Sequence, residues 1–158
     1  MTANKTQPES EIQTNSNGYA IGYYGYNGNQ YYSTTSASTN AAYGASYGNT
    51  DYIGIFMDLD NNKLYFSKNG TLQNSGTGLD LNAAGKPYLL AVAVYNGLTN
   101  VNFGSGVFGT TALTGTTYSD ANNQGTFKYS PNQGGAANFD SAAKNFYALN
   151  TKNIKEFG

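Results

Sequence analysis

The chain has no cysteine and no histidine. The first absence excludes disulfides and thiolate chemistry. The second removes the commonest general base and, with it, any Ser–His–Asp arrangement. Charge is scarce as well: Asp, Glu, Lys and Arg make up 11% of the 158 residues, where an average soluble domain has about 25%. Every basic residue is a lysine. With a net charge of -1, these scattered lysines form no basic stripe, so nucleic acid is not an expected partner. No apolar run approaches the roughly 20 residues of a membrane-spanning helix, so no membrane contact is expected. The stretch Met1-Thr-Ala-Asn-Lys-Thr-Gln-Pro8 lacks the apolar core of a signal peptide, and none is expected.

What fills the space is tyrosine, phenylalanine, glycine and small polar residues. Apolar residues reach only 39%, but 15 Tyr and 8 Phe supply large buried area per side chain. Disordered chains are usually charged and poor in aromatics, so this profile is not theirs. Thr and Tyr favour strands while Asn and Gly favour turns, which together point to an all-β domain. Low charge also gives up the usual route to solubility. A surface of this kind suits a protein held inside a larger assembly, or one solvated by amides and hydroxyls.

Along the chain, residues 1–16 carry almost no apolar side chains and read as a polar N-terminal arm. Ala20–Tyr24 and Gln30–Ser33 read as short strands joined at Asn27-Gly28. Thr34–Ala42 shows no pattern and reads as a loop. Tyr52–Leu59 is apolar on both faces, as in a strand buried in a sandwich. Asp60-Asn61-Asn62 supplies a turn, Lys63–Ser67 a return strand, and Asn69-Gly70 a type I′ turn signal. Tyr88–Tyr95 is the strongest strand signal in the chain. Thr99–Phe103 alternates, with Val101 and Phe103 on one face. Phe127–Tyr129 is a further strand candidate. Ser141–Leu149 is the one helical candidate, with Asp140 or Ser141 as its cap.

Within this series, Ile53-Gly-Ile-Phe-Met-Asp-Leu-Asp60, Lys63-Leu-Tyr-Phe66 and Lys68-Asn-Gly70 resemble the central hairpin of the SPRY domain in its bacterial and phage form. Tyr23-Tyr-Gly-Tyr-Asn-Gly-Asn29 and Tyr43-Gly-Ala-Ser-Tyr-Gly48 resemble the segments before that hairpin. Tyr88–Tyr95 and Val101-Asn-Phe-Gly104 resemble the strands after it. Phe127–Pro131 and Tyr147–Ile154 resemble the tail of phage structural proteins that carry the domain. The likeness spans residues 17 to 154. It implies an antiparallel, concanavalin-like, jelly-roll-like SPRY β-sandwich over 17–130, with extended arms at 1–16 and 131–158, the latter holding a short helix. The family usually has further strands before the Tyr/Gly segment, where this chain has a polar stretch. An open edge of that kind invites pairing with a partner.

Asp58, Asp60 and Asn62 have the i, i+2, i+4 spacing of a calcium loop, but the Gly and the terminal Glu of an EF-hand are replaced by Lys63 and Asn69. A hydrogen-bonded turn is the ordinary reading, and a cation site of another kind the lesser one. The same aspartates could serve a glycan hydrolase, which needs two carboxylates about 5–9.5 Å apart across a cleft. Neither sits on a clear concave strand. No cofactor is implied. The candidate binding residues are Tyr23, Tyr24, Tyr26, Asn27, Tyr31 and Tyr32, because tyrosine offers flat apolar area and a hydroxyl at low entropy cost. Alternate tyrosines in a strand are more often core than binding residues, and Tyr26, Tyr31 and Tyr32 lie nearest the turn. The resemblance therefore implies a non-enzymatic phage virion protein that decorates a capsid or forms part of a tail or fibre. It would contact other virion proteins or copies of itself. The alternative is a lectin-like module for host surface glycans, and a hydrolase stands third.

Overall fold

A computed structural model describes residues 20–33, 38–81, 88–94, 97–132 and 139–157. They form an all-β protein of short antiparallel sheets with one short α-helix and a 3-10 turn at Asn74–Gly76, the class expected of an SPRY-type sandwich. The residues group into two compact units. The first draws on Met1–Asp51, Met57–Leu64 and Leu79–Asn96, the second on Tyr52–Phe56, Tyr65–Gly78 and Gly97–Gly158.

The first unit is led by a meander of β1 (Ala20–Tyr23), β2 (Asn29–Ser33) and β3 (Ser38–Ala42), paired in that order. Register runs Tyr23↔Gln30 and Gly22↔Tyr31 in the first pair, then Tyr31↔Asn40 and Asn29↔Ala42 in the second. The β3 strand lies where the sequence reads as a patternless loop. Ser, Thr, Asn and Ala carry no strong strand signal, and pairing with β2 imposes the conformation. In the same unit β7 (Leu79–Asp80) pairs with Lys63 and Leu64, and Lys63 Nζ reaches Asp80 Oδ1 at 2.7 Å.

The strand expected over Tyr88–Tyr95 does not form. Tyr88–Val94 is described and enters no sheet, while Tyr95 lies outside the described residues. Leu89 is 91% exposed, and Leu90, Val92 and Val94 face solvent as well. The Thr99–Phe103 strand is also missing, with Val101 and Phe103 exposed. Periodicity reports apolar side chains, but a strand also needs a neighbour for its backbone.

The central hairpin follows the sequence reading closely. β4 (Ile53–Asp58) pairs with β5 (Lys63–Lys68), which pairs in turn with β6 (Thr71–Leu72). Between β5 and β6, Asn69 and Gly70 have φ of 50° and 82°. Positive φ at both central residues is the type I′ condition. Asn69 also accepts from Tyr52 N through Oδ1 at 2.9 Å. One expectation fails here: β4 is not buried on both faces. Phe56 is buried, but Ile55 and Met57, which alternate with it onto the opposite face, are exposed.

The second unit is built on an aromatic cluster. Phe56, Tyr65 and Phe139 are buried, and Leu72 and Phe146 pack against them. Ring centroids stand 5.3 Å apart for Phe56–Phe139, 5.1 Å for Tyr65–Phe139 and 4.8 Å for Phe139–Phe146, in edge or tilted arrangements. Edge contacts suit the aromatic quadrupole and add to simple burial. Two further hairpins belong to this unit: β8 (Val107–Phe108) with β9 (Thr111–Ala112), and β10 (Tyr118–Ser119) with β11 (Thr126–Phe127).

The helix expected over Ser141–Leu149 is absent. Asp140 and Ser141 have φ of 50° and 62°, in the left-handed region, and Phe139 bridges to Ala142. Asp140 is drawn out of a helical start by accepting from Tyr65 Oη and Gly78 N. The helix lies later instead, as α1 (Thr151–Phe157). Asn150 caps it, with Oδ1 accepting from Asn153 N at 3.0 Å, which satisfies one of the free N–H groups of the first turn.

Below α1, Asp120 is 3% exposed. Its Oδ1 accepts from Gln124 N and Gly125 N, at 2.8 and 2.9 Å. Its Oδ2 accepts from Ala148 N and Asn153 Nδ2, at 2.8 and 2.9 Å. Desolvation pushes the carboxyl pKa up. The hydrogen bonds from Ala148, Gly125, Asn153 and Gln124 together outweigh it and hold it below the ordinary value.

Candidate functional site

Five of the first unit's tyrosines separate by strand parity. Side chains two residues apart share a face, and paired residues share one too. Tyr31 lies opposite Gly22 and Asn40, so Tyr24, Tyr31, Asn29 and Asn40 project to one side. Tyr23 lies opposite Gln30, which sends Tyr23, Tyr32 and Tyr43 to the other.

The Tyr23 side is packed. Tyr23 and Tyr43 are buried, and their rings meet edge-on at 5.4 Å. Tyr47 stacks at 4.9 Å from Tyr23. Tyr23 Oη donates to the Ala45 carbonyl, and Tyr47 Oη donates to the Tyr23 carbonyl at 2.6 Å. Burial, followed by the proximity of Tyr47, Tyr43 and Asp51, pushes the Tyr23 pKa up to about 12. Burial raises that of Tyr47 as well. Of the candidate residues, Tyr23 is thus a packing residue, and Tyr32 shares its side of the sheet and is half-buried.

The other side is open. Tyr24 and Tyr31 are half-buried and meet edge-on at 5.4 Å, with an interplanar angle of 82°. Tyr26 sits at the tip of the β1–β2 connection, 83% exposed, with its ring 6.2 Å from Tyr24. Asn27 is also exposed and its Oδ1 accepts from Asn29 N at 3.0 Å, the side-chain turn that Asn favours. Asn29 Nδ2 donates to Asn40 Oδ1 at 2.6 Å. The result is a platform of three aromatic rings bordered by amides. No charged residue occurs between Glu11 and Asp51 in the sequence, the stretch that supplies the platform.

Backbone bonds hold the tip in place. Tyr24 N donates to Asn29 O at 2.8 Å and Gly28 N to Tyr24 O at 2.9 Å. Gly28 O accepts from Gly44 N at 2.9 Å. Gly28 has φ of 73°, and a β-carbon there would run into the Gly44 carbonyl oxygen. Glycine is required by both conformation and space.

Asp58, Asp60 and Asn62 occupy the β4–β5 turn. Asp58 Oδ1 accepts from Asn61 N at 3.0 Å, and Oδ2 accepts from Asn61 Nδ2 at 2.9 Å. Asn62 takes φ of 53°. The i, i+2, i+4 spacing is that of a hydrogen-bonded turn. Among the described residues no group of three or more His, Cys, Asp or Glu side chains could hold a metal ion.

Sequence reasoning missed Asn29 and Asn40, which frame the platform, and Tyr43 and Tyr47, which pack beneath it. The clue available for Asn29 was its two-residue offset from Tyr31. Asn40 had none, because β3 carries no strand signal.

No curated protein matches the chain, and no solved structure does. The family model for the SPRY domain, generally a protein–protein interaction module, matches residues 2–106. That stretch is well over half of the chain, holds both the central hairpin and the aromatic platform, and makes the chain a member of the SPRY domain family.

Proposed function

We propose that the chain is a non-enzymatic protein-binding module whose contact surface is the platform of Tyr24, Tyr26 and Tyr31 with Asn27, Asn29 and Asn40. The observation that carries this reading is Tyr26. A ring 83% exposed, backed by two further tyrosines, is costly to leave in water and well suited to a partner. Its setting is a phage virion, as capsid decoration or a tail or fibre component, and its partner is another virion protein. Support for the setting comes from the likeness of Asp51–Gly70 to the SPRY domain in its bacterial and phage form and of Phe127–Pro131 and Tyr147–Ile154 to the tail of phage structural proteins, together with a chain poor in charge and free of cysteine.

The test is co-sedimentation of the purified full chain with particles of the encoding phage lacking it, against Tyr26→Ala and Tyr31→Ala. Saturable binding that weakens at least about tenfold in the variants, with unchanged melting temperature, supports the reading, since tyrosines at interface centres are typical hot spots. Binding unaffected by either substitution overturns the platform. Tyrosine-dependent, saturable binding to a neutral glycan array, with no particle binding, overturns the virion reading in favour of a lectin.

A further inference from the structure

The connection that carries Tyr26 is gripped from the far face of the sheet. Residues 43–47 meet it on the side of Tyr23, away from Tyr24 and Tyr31. Gly44 N donates to Gly28 O at 2.9 Å, and Tyr47 N donates to Gly25 O at 2.7 Å. Both ends of the tip, Gly25 and Gly28, are thereby tied to the same segment. The two hydroxyls are exchanged between these segments as well. Tyr23 Oη donates to the Ala45 carbonyl, and Tyr47 Oη donates to the Tyr23 carbonyl at 2.6 Å. The Tyr47 ring fills the space at Gly25, where a β-carbon would stand 2.9 Å from Tyr47 Cε2. Beyond Tyr47 the chain turns back on itself, with Gly48 N donating to Asp51 Oδ2 at 3.0 Å and Asp51 N to Gly48 O at 3.2 Å.

The Tyr26 ring, 83% exposed, gains little from packing. Its position depends on the backbone that bears it. A loop that must order on binding gives up affinity, and one ordered beforehand does not. Affinity then scales with the fraction of molecules in which the tip is already in place. Tyr47 supplies three of the contacts that keep it there: an amide, a hydroxyl and a ring.

We infer that Tyr47 is the positioning residue of the aromatic platform. From the opposite face of the sheet it fixes residues 25–28, and so sets the affinity at Tyr26 without touching the partner. This rests on the platform's being the contact surface. The ring matters more than the hydroxyl. Losing one hydrogen bond raises the frequency of opening but leaves most tips ordered, whereas losing the ring as well empties the space at Gly25 and lets the ordered fraction fall.

The test compares Tyr47→Phe and Tyr47→Ala with the parent in the full chain. Hydrogen exchange is followed at Gly28 N and Tyr24 N, which donate within the tip to Tyr24 O and Asn29 O, and at the ladder amides of β2 and β3. Tyr47→Phe should speed exchange at the two tip amides by about fivefold, the worth of one hydrogen bond, with the ladder amides unchanged. Tyr47→Ala should speed it further and weaken co-sedimentation with phage particles by about tenfold, and Tyr47→Phe should restore most of that binding. Tip amides no faster in Tyr47→Ala than in the parent overturn the inference. So does a rise shared equally by the β2 and β3 ladder, the mark of a merely structural residue. A loosened tip with parental binding overturns it too, and leaves the platform standing if Tyr26→Ala still abolishes binding. Should Tyr26→Ala bind as the parent does, the platform reading falls and takes the affinity claim with it.

Discussion

The hydroxyl of Tyr65 donates to Asp140 Oδ2 at 2.6 Å, joining positions 75 residues apart. Tyr65 is 1% exposed, on β5, and Asp140 follows the fully buried Phe139. The carboxylate also accepts from Gly78 N at 3.2 Å, and Asp140 N donates to Gly76 O at 2.8 Å. One residue thus anchors the end of the aromatic cluster and holds Phe139 in it. Tyr65→Phe keeps the ring and removes a hydrogen bond to a charged group. It should cost about 1.5–3 kcal/mol in urea unfolding, and Asp140→Ala should cost a similar amount. In a double-mutant cycle the two losses should be markedly less than additive.

Phe139 touches Phe56, Tyr65 and Phe146 and is 0% exposed. Phe139→Ala leaves a cavity that three rings border. It should destabilise the protein by about 3–5 kcal/mol, while Phe139→Leu should cost clearly less. Chemical denaturation of both variants checks the ranking. Equal effects would mean the cluster is not packed around this ring.

Asp120 gathers four N–H donors on a buried carboxylate. Its pKa in the fold lies below the ordinary 3.8. The contribution to stability is therefore complete above that ordinary value and is lost as pH falls through the lower folded value. Asp120→Asn turns one acceptor into a donor facing other donors and should cost about 1–3 kcal/mol at neutral pH. Unfolding free energy followed from pH 7 into acid should fall less steeply in Asp120→Asn than in the parent chain.

At the alkaline end the sign reverses. The Tyr23 pKa is raised from 10.0 to about 12, so the unfolded chain releases this proton first. Stability from this group is complete below 10.0 and falls as pH rises toward about 12. Ultraviolet titration of tyrosinate should show a late-ionising group that Tyr23→Phe removes.

Gly28 should tolerate no side chain. Gly28→Ala places a β-carbon against Gly44 O at φ of 73°. It should displace Tyr26 as well as lower the melting temperature. The expected signature is loss of partner binding larger than the loss of folded fraction accounts for.

The β4–β5–β6 segment was legible because its information is local. A type I′ turn needs Asn69-Gly70, an adjacent pair, and the flanking strands follow from it. The β1–β2 hairpin was legible for the same reason. The β3 strand was not, since Ser38–Ala42 becomes a strand only by pairing with β2. The helix expected at Ser141–Leu149 was lost to Tyr65, a competitor far away in sequence. Of the site, the tyrosine set could be picked out by composition, but the spacing of Asp58, Asp60 and Asn62 gave no sign that Asn61 N and Nδ2 bond the Asp58 carboxylate.

The sequence by itself determined the all-β class, the central hairpin and the SPRY likeness, because strand propensity and turn chemistry act between neighbours. Tertiary structure alone decided which tyrosines are packed and which are open. Pleat parity sends Tyr23 inward and Tyr24 and Tyr31 outward, and the sense of that alternation depends on the register with β2 and β3. It also decided that Leu89–Val94 stands exposed and, among the described residues, in no sheet. Apolar side chains mark a segment as able to become a strand, but a strand exists only where a second backbone is there to complete its hydrogen bonds.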